Sequence, residues 1–354
     1  MNLRRIDSVE ELRRYLQVAL QLEHSTIPPY MTALYSIHPG TNPDSTQIIH
    51  TVVVEEMLHL VLVANMLNAI GGSPDFTLPG FVPLYPAHLP DGETDFEVGI
   101  RPFSRAAIET FLQIERPGAA SEEIDFIQRA RSPLALLPGF GDSDASDMHF
   151  YSIGEFYAEI DRGLHWLHAE MTARGEVLFT GDPTRQVTPS FRYSGGGEIL
   201  AVYDLASADA AIRLICEQGE GLGGRIYDEE DELSHYYQFE QVLLGRYYQS
   251  GDLPGQPSGA TFDVDWFAVY PVRTNARLTD YPEGCETYNA ACEFNIAYQD
   301  FLALLTRAHN GEPELLETAV GVMYQLKDLV SKLIVTPIPG LPDEHGVPVY
   351  GAVI

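Results

Sequence analysis

Residues Val52 to Pro74 read VVVEEMLHLVLVANMLNAIGGSP, and this stretch decides the fold. Val52, Val53, Val54, Leu58, Leu60, Val61, Leu62 and Val63 leave no polar side to a helix running from about Gln47 to Ile70. A helix that is apolar nearly all round belongs at the centre of a bundle. Gly71-Gly72-Ser73-Pro74 is a strong stop. Inside the helix sits Glu56-Met57-Leu58-His59, a Glu-x-x-His signature, and it recurs as Glu232-Leu233-Ser234-His235. Residues three apart share a helix face, so a carboxylate and an imidazole at that spacing can hold one ion. Glu56 and His59 lie on the stripe of Ile49, Val52, Val53, Val63, Met66 and Leu67. Glu232 and His235 lie on that of Tyr236, Phe239, Val242 and Leu243. Both pairs are expected to project inward, where a carboxylate costs several kcal/mol unless paired or metal-bound.

Working outward, a first helix carries Leu12, Leu16, Ala19, Leu20, Ile27, Tyr30, Met31 and Leu34 on one face, with Glu23 where Leu would be expected. Pro28 and Pro29 remove two donors, so the helix should bend there. The Pro-, Gly- and Asp-rich segment 74–147 reads as an insertion, with short helices around Ser104 to Glu115 and Ser121 to Arg131. A third long helix is expected over Ile153 to Glu176, a shorter one over Ser207 to Gln218, and a fourth long one over Glu229 to Gln249 behind an acidic first turn. Two more helices, Glu286 to Asn310 and Glu314 to Val335, are joined tightly enough to form an antiparallel pair. The expected architecture is mainly α: a four-helix bundle over 1–250 with its insertion at 74–147, and a loop, helical hairpin and tail over 251–354 packed on it.

Two Glu-x-x-His helices plus one inward Glu on each of two others make the ligand set of dimetal carboxylate bundles. Glu23 supplies one extra carboxylate. Glu155 and Glu159 compete for the other, and Glu159 also fits a surface row with Arg162. Four carboxylates balance two divalent cations, which makes the site tolerable in a dry core. Oxygen and imidazole donors without thiolate favour iron, with manganese or a mixed iron–manganese pair as alternatives. Glu55, without a His three residues on, is read as a supporting or interhelical group. His24 is read the same way, and His165 and His168 as structural.

With 21 Lys plus Arg against 51 Asp plus Glu, the chain carries a formal charge of −30. That surface repels phosphate backbones and anionic membranes. Three scattered cysteines give neither a disulfide framework nor a zinc pattern. No apolar run of about 18 residues marks a membrane span. Met1 to Arg14 has no apolar core of a secretory signal, so the cytoplasm is the expected compartment.

The segments LQLEHSTIPPYMTALYSI (Leu20 to Ile37), Val52 to Pro74, SIGEFY (Ser152 to Tyr157) and DELSHYYQFEQV (Asp231 to Val242) resemble the ferritin-like domain family of the iminophenyl-pyruvate dimer synthase type. These enzymes of violacein and rebeccamycin pathways couple imines of aromatic 2-oxo acids. VYPVRTNARLTDYPEG, FNIAY and AVGVMYQLKDL are similar to the same family, so the resemblance spans most of the chain. It implies a ferritin-like four-helix bundle with an additional C-terminal helical pair. Through SIGEFY it favours Glu155 over Glu159 as the third-helix ligand. The implied metal ligands are Glu23, Glu56, His59, Glu155, Glu232 and His235, holding two divalent metal ions. The implied activity is an oxidoreductase acting with dioxygen on an amino acid, aromatic acid or 2-imino acid. The alternative is a non-catalytic iron-binding, storage-like protein. A homodimer is compatible with the sequence.

Overall fold

The computed structural model describes residues 6–92, 94–118, 150, 152–191, 197–221, 225–228 and 231–351. Two long helices, α1 (Val9–Ser36) and α2 (Pro43–Ala69), pack along each other as one half of a bundle. Ser8 caps α1 by accepting the Glu11 N–H at 3.2 Å. Nineteen residues of α2 are buried, among them Val52, Leu58, Leu62 and Val63. It is one helix long and apolar enough to cross a membrane, but 72% of that apolar window is buried inside the protein.

Pro28 and Pro29 do not end α1, as the sequence suggested they would bend it; the helix runs through both. The Ser25 carbonyl, which loses its donor to Pro29, accepts the Tyr85 hydroxyl at 2.7 Å instead. Ser25 and Thr26 hydroxyls also bond back to Leu22 O and Glu23 O, at 2.8 and 2.7 Å. The Tyr85 hydroxyl thus replaces one missing rung of the ladder, and the Ser25 and Thr26 hydroxyls add bonds in the turn before it.

The other half of the bundle is built from four shorter helices rather than two long ones. These are α3 (Arg105–Ile114), α4 (Ile153–Ala173), α5 (Leu205–Gly219) and α6 (His235–Leu244). α3 and α4 both pack on α1, α5 and α6 both pack on α2, α3 lies against α6, and α4 lies against α5. The four therefore act as two interrupted antiparallel rods. The expected fourth helix over Glu229 to Gln249 shrinks at both ends. Before it, Tyr227 and Leu233 form an isolated bridge and Asp231 lies in the left-handed region (φ 62°). At the far end Gly245 (φ 63°) stops the helix five residues after Glu240. The helix expected over Ser121 to Arg131 lies outside the described residues.

Beyond the bundle, α7 (Glu286–Ala308) and α8 (Leu315–Val335) form the expected antiparallel hairpin, and α8 reaches α1. A short antiparallel pair follows, β1 (Pro337–Ile338) with β2 (Leu341–His345). One continuous apolar core runs from Ile6 and Leu12 in the bundle to Val330 and Leu333 in the hairpin.

Candidate metal centre

Five buried side chains converge where the interrupted rods break, beside the middle of α1 and α2. Glu23 comes from α1, Glu56 and His59 from α2, Glu115 from the C-cap of α3, and His235 from the first position of α6. They form two overlapping groups, Glu23/Glu56/His59 and Glu56/Glu115/His235, with Glu56 common to both. His59 Nδ1 lies 3.2 Å from Glu23 Oε2 and 3.8 Å from Glu56 Oε1. His235 Nδ1 lies 3.0 Å from the same Glu56 oxygen and 3.5 Å from Glu115 Oε2. The two imidazoles stand 5.5 Å apart, nearly parallel.

Every one of the five is gripped from behind. Tyr157 of α4 donates its hydroxyl to Glu23, and Tyr30 of α1 donates to Glu115 at 2.5 Å. The Thr26 hydroxyl is 2.6 Å from Glu56 Oε2. His59 Nε2 is held by Gln218 Oε1 of α5 and His235 Nε2 by Glu55 Oε2 of α2, each at 3.0 Å. Occupied on the outer nitrogen, both rings turn Nδ1 inward, and such partners fix ring orientation for a metal. Glu55, which carries no His three residues on, thus spans α2 to α6 and is joined there by Gln238.

The electrostatics are those of crowded anions in a dry site. Burial and the neighbouring Glu115 push the Glu56 carboxyl up to about 7. The Thr26 hydroxyl lies within hydrogen-bond distance of both Glu56 Oε2 and the Glu23 carbonyl. Burial alone would lower His235, yet the surrounding carboxylates of Glu115, Glu55 and Glu56 hold it well above its ordinary value. Burial also opposes a charge on His59, and Glu23 overcomes it. Tyr30 and Tyr157 are both raised well above the phenol range by burial and adjacent carboxylates.

The buried atoms give a direct test of whether a metal pair fits. His235 Nδ1 is fully buried and makes no hydrogen bond, although two carboxylate oxygens stand within 3.5 Å of it. An imidazole nitrogen and two carboxylate oxygens converging on one buried point are a donor set suited to a shared cation. Glu23, Glu55, Glu56 and Glu115 supply four carboxylates, again matching two divalent charges. The cluster is compatible with a dimetal site.

Of the six residues expected from the sequence, the structure brings Glu23, Glu56, His59 and His235 together and leaves two apart. Glu232 is exposed, in the turn before α6, where its N–H bonds Asp228 Oδ1 at 2.8 Å. Since the helix begins only at His235, the three-residue spacing does not place the two on one face. Glu155 is half-buried in the first turn of α4, its N–H capped by Ser152. Glu159 pairs with Arg162 and takes the Ile6 N–H at 2.7 Å, as the surface reading had it. Glu115 is the carboxylate the sequence reading passed over. Its signal was present: it follows Phe111 by four and Ile108 by seven, on the apolar stripe of α3.

Comparison with known proteins bears on the fold and the family. Dichlorochromopyrrolate synthase of Lentzea aerocolonigenes is 27% identical over 325 residues, covering 82% of this chain and 28% of that protein. The chain therefore spans under a third of that relative's length. The crystal structure of a ferritin like protein from Caulobacter vibrioides shares the fold, with a TM-score of 0.62 at 22% identity over 98% of this chain and 99% of that one. Residues 16–244, which run from α1 to the end of α6, match the Ferritin-like family, and the chain belongs to it.

Proposed function

We propose that the protein is an oxidoreductase that holds two divalent cations, iron in the first instance, between Glu23, Glu56, His59, Glu115 and His235, and acts with dioxygen on a small organic substrate. The observation that carries this reading is the approach of two inward-turned imidazole nitrogens to one Glu56 oxygen, flanked by Glu23 and Glu115. Glu56, common to both groups, would hold both cations, and Glu115 would take the role the sequence gave to a third-helix acid. Oxygen and nitrogen donors without thiolate suit iron or manganese. When bound, the metal pair supplies electrons for the reduction of dioxygen.

The chain's own residues prepare the site for that chemistry. Tyr157 and Tyr30 hold protons on Glu23 and Glu115, so these carboxylates meet the site in fixed orientations. Gln218 and Glu55 hold both imidazoles by Nε2, which leaves Nδ1 as the nitrogen turned to the site. Phe111, Phe239 and Phe156, all buried, surround the centre with apolar rings and keep bulk water out. The substrate class is an amino acid, aromatic acid or 2-imino acid. Support comes from the similarity to a synthase whose named product, dichlorochromopyrrolate, is itself an acid.

Anaerobic loading with Fe(II), metal counting and oxygen-uptake measurements with candidate amino and 2-oxo acids test the proposal. Two metals per chain are expected, with oxygen consumption that rises with the right substrate. Glu115→Gln and Glu56→Gln should each bind fewer than two, while Glu232→Gln binds the full pair. Two metals retained by Glu115→Gln, or none bound by the unaltered protein, overturn the assignment.

A further inference from the structure

A second feature lies on the face of α1 turned away from the metal cluster. Gln21 and His24, three apart on that face, meet the loop 76–82 and α7. Between loop and helix is a half-open cavity of about 260 Å³, with Leu78, Phe81, Asn295, Tyr298 and Leu302 among its walls. Asn295 is only 3% exposed, yet neither its amide nitrogen nor its amide oxygen has a hydrogen-bond partner. Behind the walls, Gln21 Oε1 and His24 Nδ1 are also buried without partners. Gln21 donates to the carbonyls of Gly80 and Phe81, at 2.7 and 3.1 Å. His24 is fixed by the Tyr298 hydroxyl at 2.8 Å and rests against Phe81.

Buried polar atoms in native proteins are nearly always satisfied, so the two orphaned amide atoms of Asn295 in the cavity wall call for something to satisfy them. We propose that this cavity is a binding site, separate from the metal centre, for a neutral single-ring molecule bearing a carboxamide or lactam edge. The chemistry of the walls sets that class. Asn295 offers a donor and an acceptor side by side, which a carboxamide or lactam answers with an acceptor and a donor. Phe81 and Tyr298 supply flat apolar contact for a ring. Among the described residues no Asp, Glu, Lys, Arg or His lines the cavity, so a charged ligand would be desolvated without a counter-charge. The volume lies below the usual range for drug-sized ligands, which limits the occupant to about one ring.

Benzamide is the probe, with benzoate as its charged counterpart, and binding to the full-length protein is followed by ligand-observed NMR and calorimetry. Saturable benzamide binding is expected, at least tenfold weaker in Asn295→Leu, with benzoate binding at least tenfold more weakly than benzamide. Without ligand, Asn295→Leu should melt no lower than the unaltered protein, because the amide it removes has no partner inside. A crystal structure with benzamide should place the carboxamide on Asn295. Failure of benzamide to bind, equal binding by Asn295→Leu or by benzoate, a clearly lowered melting temperature in that variant, or ordered water alone on Asn295 would each overturn the proposal. The metal content of Asn295→Leu should be unchanged, so the result stands apart from the fate of the metal assignment.

Discussion

At the scale of single residues, the two imidazoles are alike in position and unlike in backing. His59 leans on the neutral Gln218, His235 on the carboxylate of Glu55. An anion behind a ligating imidazole makes it a stronger donor, and loss of such a partner typically lowers metal affinity 10- to 100-fold. Glu55→Gln keeps the shape and removes the charge. It should weaken one of two Mn(II) ions by that factor in an anaerobic titration followed by EPR, leaving the other near its original affinity. An unchanged isotherm for both ions would show that Glu55 does not act on the site. Glu23, Glu56 and His59 were legible because each breaks an apolar stripe on an unbroken helix. Glu115 broke such a stripe too, but on a ten-residue helix assigned to an insertion, where no ligand was sought. Glu232 misled because its spacing to His235 means a shared face only if the helix already exists at residue 232.

At the scale of elements, the interruptions in α3–α4 and α5–α6 are what the sequence concealed. Three of the four pieces have their own side-chain caps, Ser104, Ser152 and Asp204, so each of these reads locally as a complete helix rather than half of a rod. The bundle itself was legible, since α1 and α2 carry long uninterrupted periodicity. The gap between the pieces is tied by Glu220, at the C-cap of α5, which is 6% exposed. Its two oxygens accept the Gly154 N–H of α4 at 2.7 Å and the Gly118 N–H beyond α3 at 2.9 Å. Burial raises its carboxyl to about 7 despite those bonds. A Cβ on Gly154 would approach the same carboxylate to 2.6 Å, so glycine is what lets α4 come this close. Glu220→Ala leaves two N–H groups without their acceptor. At roughly 1–3 kcal/mol for each buried group left unsatisfied, urea denaturation should show a loss of about 2–6 kcal/mol. A loss under about 0.5 kcal/mol would mean that water reaches those groups and the tie is not structural.

At the scale of the whole molecule, a chain of formal charge −30 buries further carboxylates in its own centre. Glu23, Glu55, Glu56 and Glu115 are each under 5% exposed, and among the described residues no Lys or Arg is buried that could neutralise them. Their compensation comes from phenol and threonine hydroxyls, two imidazoles and, on the present reading, two cations. Stability and metal content should therefore be linked. A ligand that binds only the folded state at a hundred times its dissociation constant contributes about 2.7 kcal/mol. In a chain of this size that corresponds to a melting temperature higher by roughly 5 °C. Anaerobic Mn(II) or Fe(II) should raise the calorimetric melting temperature by that order, and a chelator should reverse it. Glu56→Gln separates the two contributions. It removes one of the crowded anions, so the chelated variant should melt at or above the chelated parent, and it removes the bridge, so added metal should shift it much less. A chelator that leaves the parent's melting temperature untouched would mean that the anions are balanced by protons and hydrogen bonds alone.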